Sequence, residues 1–251
     1  MNDECLTICF YNGPKERPDL SLEATRIIAL MGTWGVPSTH IGLSGERAPS
    51  KLLSANVGLK RLESSRLGDI DGLTLLSCPD STKAPAFDWN VLLSVTHNAT
   101  IGGTRNVVCE SSLTEIINTQ QSLVPFMNGE DYAYGFALAI PKHQMPDLYI
   151  LTGPTDGDEQ TRTASRLWQE FSMLNEPLGN RLRDIYPINY LSEKHLSLPL
   201  SNSTFKDLLV TSGATTNRRI AGLDEYLVPL RAIGSIREIM RTTGYVISLA
   251  K

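Results

Sequence analysis

The stretch that decides the fold is Val91-Leu92-Leu93-Ser94-Val95-Thr96-His97-Asn98-Ala99-Thr100-Ile101-Gly102-Gly103-Thr104-Arg105-Asn106-Val107-Val108-Cys109. Its two ends are β-branched and aliphatic, and Asn98–Gly103 between them is a hairpin-sized loop with two glycines. The pattern predicts antiparallel strands over Val91–His97 and Thr104–Cys109. Upstream, Leu6, Ile8 and Phe10 alternate with Thr7 and Cys9, a period-2 strand ended by the turn Asn12-Gly13-Pro14. Gly72–Cys78 reads as another strand. Downstream, Tyr132–Ile140 and Leu148–Leu151 read as a second hairpin across Pro141–Pro146, and Tyr226–Leu230 and Tyr245–Leu249 as further strands, the last able to close the sheet.

Helical signals lie between these strands. One helix opens near Asp19 or Ser21 and carries Leu22, Ile27, Ile28 and Met31 before Gly32. Ser50–Arg66 reads as a second, with Leu52, Leu53, Val57 and Leu62 facing inward. Ser112 followed by Glu115 has capping-box spacing, with Leu113, Ile116, Ile117, Leu123 and Val124 as the apolar face. A fourth follows Asp158 and bears Ala164, Leu167, Trp168, Phe171 and Leu174. Ser203 or Thr204 caps a short helix through Leu209, and Ser235–Thr243 forms a last one stopped by Gly244. Pro177–Leu200 reads as irregular.

Strands arriving as hairpins with helices between them predict an α+β fold with a mostly antiparallel sheet, rather than βαβ alternation. The order strand–helix–strand–strand–strand–helix in the first half admits a ferredoxin-like variant. The expected organisation is one unit over residues 1–251; if it divides into two such lobes, the break falls near Phe126–Asp131. Leu6, Ile8, Val91, Leu93, Val95, Val107, Phe136 and Leu138 are the expected buried sheet residues.

Composition narrows the function classes. Hydrophobic residues at 41% suffice for a sizeable core, and a net charge of −4 lacks the basic excess of a phosphate-coating protein, so nucleic acid is not an expected partner. Met1-Asn2-Asp3-Glu4 is acidic where a secretion signal would be basic, and no apolar run approaches a membrane span; the expected place is the cytoplasm. The Asn98 and Asn202 sequons then read as chance matches. Cys5, Cys9, Cys78 and Cys109 contain no C-x-x-C pair. Cys5 and Cys9 share a strand face roughly 13 Å apart, too far for a disulfide, so all four read as buried thiols.

Phosphate-loop, zinc-protease, nucleophile-elbow and paired-cysteine signatures are absent from the sequence. His40, His97, His143 and His195 have no ligand spacing; His97, beside the glycine loop, is an acid–base candidate weighed against an ordinary structural histidine. Asp156-Gly157-Asp158-Glu159 resembles a metal loop, but acids at a helix start also complement its free N–H groups. Gly102-Gly103-Thr104-Arg105 could cradle an anion, or simply supply the turn. No metal and no cofactor is expected. Arg181, Arg183, Tyr186 and Tyr190 lie in the most unusual composition of the chain. Arginine with aromatics is the material of binding hot spots, and equally of a buried polar clamp.

Arg183-Asp184-Ile185-Tyr186-Pro187-Ile188-Asn189-Tyr190-Leu191, followed by His195-Leu196, resembles a stretch in bacterial toxin-immunity proteins, the immunity protein 52 family. Tyr134-Gly135, Ile236-Arg237 and Gly244 extend the resemblance over about the last 120 residues. It implies a non-enzymatic protein that binds and neutralises a cognate toxin, and transfers no toxin-contact residue. On their composition, Arg181, Arg183, Tyr186 and Tyr190 are the partner-binding candidates if exposed, and fold-holding residues if buried. The alternatives are an enzyme working through His97, His195 or the acids at 156–159, and a structural or regulatory component of a bacterial secretion or defence system.

Overall fold

The Val91–Cys109 hairpin forms as expected. Asn98 pairs with Gly102 at its tip and Val91 with Cys109 at its base. The computed structural model describes residues 4–65, 69–79, 89–153, 158–174 and 176–249. Its strands are β1 (Glu4–Tyr11), β2 (His40–Ser44), β3 (Leu53–Ser54), β4 (Gly72–Ser77), β5 (Val91–Asn98), β6 (Gly102–Glu110), β7 (Tyr134–Pro141), β8 (Ile188–Leu191), β9 (Thr215–Ile220) and β10 (Leu223–Leu227). They make one sheet in the order β3-β2-β4-β5-β6-β1-β7-β8-β10-β9, antiparallel at every step. The helices are α1 (Leu20–Thr33), α2 (Ala55–Ser64), α3 (Thr114–Ile117), α4 (Gln120–Met127), α5 (Pro146–Thr152), α6 (Glu159–Met173), α7 (Glu193–Leu196), α8 (Phe205–Thr211) and α9 (Leu230–Met240). The α+β expectation is met.

The strand period divides the core into two. Ile8, Phe10, Leu73, Leu75, Leu93, Val95 and Val107 face one side, packed with Ile27 and Met31 of α1, Leu62 of α2 and Leu123 of α4. Cys9, Tyr11, Tyr134, Phe136 and Tyr226 face the other, packed with Ile150 of α5, Trp168 and Phe171 of α6, Phe205 of α8 and Ile236 of α9. β1 is apolar on both faces because it lies in mid-sheet with helices above and below it. Of the eight expected sheet residues, seven are buried and Leu138 is half-buried.

Several local expectations are corrected. Leu148–Leu151 is the body of α5 rather than a strand: Pro146 sits in its first turn with Asp147, and four apolar residues in a row carry no period of their own. The Ser112 helix is two pieces. Thr119 Oγ1 and Ser122 Oγ (2.7 Å) both donate to the Ile116 carbonyl, ending α3, and Thr119 then caps α4 through the Ser122 N–H. Ile116 and Val124 are exposed, as are Leu22 and Val57 of the first two helices. The second helix starts at Ala55, because Leu53–Ser54 pairs with β2. Tyr245–Leu249 does not join the sheet; Leu182, Ile247 and Ser248 donate backbone bonds that tie it to the 182–183 segment instead. The irregular Pro177–Leu200 contains β8 and α7, and β2 and β9 were not anticipated.

Candidate functional site

The Arg183 segment is where the sequence is most distinctive, and the structure buries it. Arg183 is 2% exposed, Tyr186 3% and Tyr190 0%. The Arg183 guanidinium donates through Nη1 to the Ile150 carbonyl (2.8 Å) and the Tyr11 hydroxyl (2.9 Å), and through Nη2 to the Tyr149 carbonyl (2.7 Å). The Trp168, Tyr149 and Phe136 rings lie 4.6, 5.0 and 5.4 Å from it. These partners have one logic. The last four carbonyls of a helix lack intrahelical donors and carry the negative end of its dipole. In α5, Arg183 takes the carbonyls of 149 and 150, Trp168 Nε1 donates to that of Leu151 (3.1 Å), and Gln169 Nε2 to that of Thr152 (3.0 Å). The buried cation is a side-chain cap on α5.

Its neighbours lock the same region. Asp184 holds Arg237 of α9 through both carboxylate oxygens, at 2.9 and 2.8 Å. The Tyr186 ring stacks on Phe136 at 4.1 Å, and the Asn189 amide exchanges two bonds with the Tyr186 backbone. Tyr190 points to the opposite core, 4.8 Å from Phe10. Arg183, Tyr186 and Tyr190 therefore hold the fold and are not surface anchors. Arg181 is the exception: it is partly exposed, pairs with Glu176 (3.1 Å) and lies 4.4 Å over the Phe171 ring.

The remaining sequence candidates are dispersed. His195 is buried in α7, its Nδ1 accepting from the Ser192 N–H (3.4 Å) and sharing a hydrogen with Ser192 Oγ (2.8 Å), and burial pushes its pKa down to about 4. His40 is buried in β2 beside Thr39 Oγ1, and His143 is exposed. His97 Nε2 lies 2.9 Å from the Lys15 carbonyl. Asp158 caps α6 by accepting from the Thr161 N–H (2.8 Å), the helix-start reading; Asp156 and Gly157 lie outside the described residues.

The anion cradle does not form at Gly102–Gly103. The Gly103 N–H is taken by the Pro14 carbonyl (3.1 Å), and a Cβ on Gly102, whose φ is +87°, would meet the Gly13 carbonyl oxygen at 2.1 Å. Arg105 turns to the other face, where its guanidinium reaches Glu23 (2.6 Å), Glu130 (2.9 Å) and Tyr132 (2.5 Å). Burial alone would raise the Glu23 carboxyl, but the bonds from Arg105 and Arg26 outweigh it and hold it below its ordinary range. Among the described residues no three His, Cys, Asp or Glu side chains converge as a metal site would require, and no helix is long and apolar enough to cross a membrane. All four cysteines are buried thiols, with Cys9 and Cys109 pushed up to about 12 by burial.

The open site lies elsewhere, on the same sheet face as Arg183 but over β2, β4, β5 and β6. A cleft of about 490 Å³ separates the sheet from α5, α6 and the 176–178 segment. Its floor is polar: Thr74, Ser94 and Asn106 face one another across three strands, with Thr96 and Thr104 one step along. Thr74 and Ser94 are hydrogen-bonded at 2.8 Å. Ile150, Leu151, Trp168, Phe171 and Leu178 wall it, and Asp71, Asp147 and Glu176 stand at the rim. Sequence reasoning passed over this floor, although the signal was present. In β5, Ser94 and Thr96 alternate with Val91, Leu93 and Val95, the mark of one face left uncovered.

No family model and no curated relative matches the sequence. Among solved structures, the fold is similar to that of a T6SS protein of Pseudomonas aeruginosa, PA0821, with a TM-score of 0.58 at 10% identity, over 97% of this chain and 73% of that one. A second match is to the toxic C-terminal tip of CdiA from Pseudomonas aeruginosa in complex with immune protein. It has 12% identity, covers 56% of this chain and 88% of that one, and at a TM-score of 0.25 carries no weight.

Proposed function

We propose that this chain is an immunity-type binding protein, which seats a bacterial toxin domain on the open half of its sheet and blocks it by occlusion, without turnover. The observation that carries the reading is the uncovered polar floor beside an aromatic and aliphatic wall. Over β1, β7, β8 and β10 the same sheet face is packed under helices. Four strands at about 4.8 Å spacing give a floor roughly 15 Å across, room for a projecting loop or hairpin at the centre of a standard interface. The resemblance of Arg183–Leu191 to immunity proteins supports the class, and a fold shared along nearly the whole chain with a T6SS protein is compatible with it. Arg183 and Tyr186 serve this function indirectly, by fixing α5 and α6 as the rigid wall of the cleft, while Tyr190 packs in the opposite core.

Co-expression with the product of the adjacent gene tests the proposal. Rescue from growth arrest together with a stable complex on gel filtration is the expected result. Failure to rescue and to bind, with turnover on any small molecule, would overturn it.

A further inference from the structure

We infer that the cleft receives a lysine or arginine side chain projecting from the bound protein, the Asn106 amide meeting its head and the apolar wall its stem. The identity of the partner rests on the occlusion reading; the chemistry of the cleft does not. Asn106 lines the floor at 8% exposure and has no hydrogen-bond partner among the described residues. Its neighbour Ser94 is satisfied by Thr74. The Asn106 amide opens on the cleft and takes no protein partner there among the described residues, so a ligand can bond it in place of water. Its carbonyl oxygen is an acceptor for an ammonium or guanidinium.

Charge decides which ligand. Asp71 and Asp147 are exposed at the rim and form no ion pair among the described residues, while Glu176 is held by Arg181. No lysine or arginine among the described residues lines the cleft, and His97, on the rim, is engaged with the Lys15 carbonyl. The field at the mouth is negative and the wall is apolar. That combination suits the amphipathic side chains, whose methylene stems pack on apolar surface while the charged head finds polar partners. The molecule already contains an example: the Arg181 guanidinium lies 4.4 Å over the Phe171 ring beside Glu176, at the edge of the same wall.

The test uses the full chain and three short peptides, alike but for two arginines, two glutamates or two serines, titrated while backbone amides are followed by NMR. The arginine peptide is expected to shift the amides of Ser94, Thr96, Thr104 and Asn106, weakening with salt, and the other two to leave them unmoved. Asn106→Leu and the double variant Asp71→Asn/Asp147→Asn should each weaken that binding about tenfold, the loss of one charge-assisted contact. Should Asn106→Leu fail to fold, the double variant changes only exposed residues and still decides the matter. Binding of the glutamate or serine peptide at those amides, or indifference of the arginine peptide to both variants, would overturn the inference. A toxin complex that both variants leave unchanged would sink it while sparing occlusion. Arginine-peptide binding in the cleft with no toxin complex would instead sink occlusion alone.

Discussion

One face of the sheet is built in two ways. Over β1, β7, β8 and β10 it is covered by α5 to α9 and holds a buried arginine, stacked tyrosines and a bidentate ion pair. Over β2, β4, β5 and β6 it is a floor of threonine, serine and asparagine, open above. The covered half is distinctive in sequence because a charge buried without a carboxylate partner demands specific carbonyls and rings around it. The open half is plain because small polar side chains lining a cleft make few demands on their neighbours. Distinctive composition here follows the difficulty of burial, and the proposed surface for a partner lies in the plainer half.

Arg183→Met should give the largest effect on this contrast. It removes three hydrogen bonds and three ring contacts of a buried cation, leaving the Ile150 carbonyl to the Tyr11 hydroxyl and the Tyr149 carbonyl to the Gly153 N–H, at about 4 kcal/mol. Thermal unfolding should show a melting point about 10 °C lower. The cleft should lose binding as well, because its wall loosens. An equal loss from any floor substitution would erase the contrast.

Lowering the pH from 6.5 toward 4 reaches the covered half through His195. His195 titrates near 4 in the fold and at 6.5 when unfolded, because burial disfavours its cation. Between those values the unfolded chain binds a proton that the folded chain does not. Stability therefore falls as pH drops from 6.5 toward 4, by about 3 kcal/mol for this group. Urea midpoints across that range should decline in the wild type, and less steeply in His195→Gln.

Arg237→Gln is milder, since the arginine is partly exposed: about 1 kcal/mol, measured in the same way, is expected for losing the two bonds to Asp184. Smallest of all, Thr96→Ala and Thr104→Ala should change stability by less than about 0.5 kcal/mol, since neither side chain holds a structural partner.

The strands legible in the sequence were those with strong local signals: the Asn98–Gly103 turn between aliphatic runs, and the alternation of Leu6, Ile8 and Phe10. β9, Thr-Thr-Asn-Arg-Arg-Ile, was illegible because it is an edge strand whose polar side chains meet solvent. α5 was misread because a four-residue apolar run has no period, and its end is fixed by Gly153 together with tertiary donors from Arg183, Trp168 and Gln169. The cap on α6 at Asp158 was legible because it is local. That Arg183 points inward was not, since its partners come from residues 11, 149 and 150, far away in the chain. The polar alternation in β5 was the one trace of the cleft, and only the course of α5 and α6 shows which face it opens on.

Plugging the cleft tests the account most directly. Thr96 is exposed at the floor, and Thr96→Trp places an indole in the opening without touching either core. The account predicts a melting point within a few degrees of wild type, with affinity for the cognate toxin reduced at least about a hundredfold by isothermal titration. Unchanged affinity in a folded Thr96→Trp variant would contradict it.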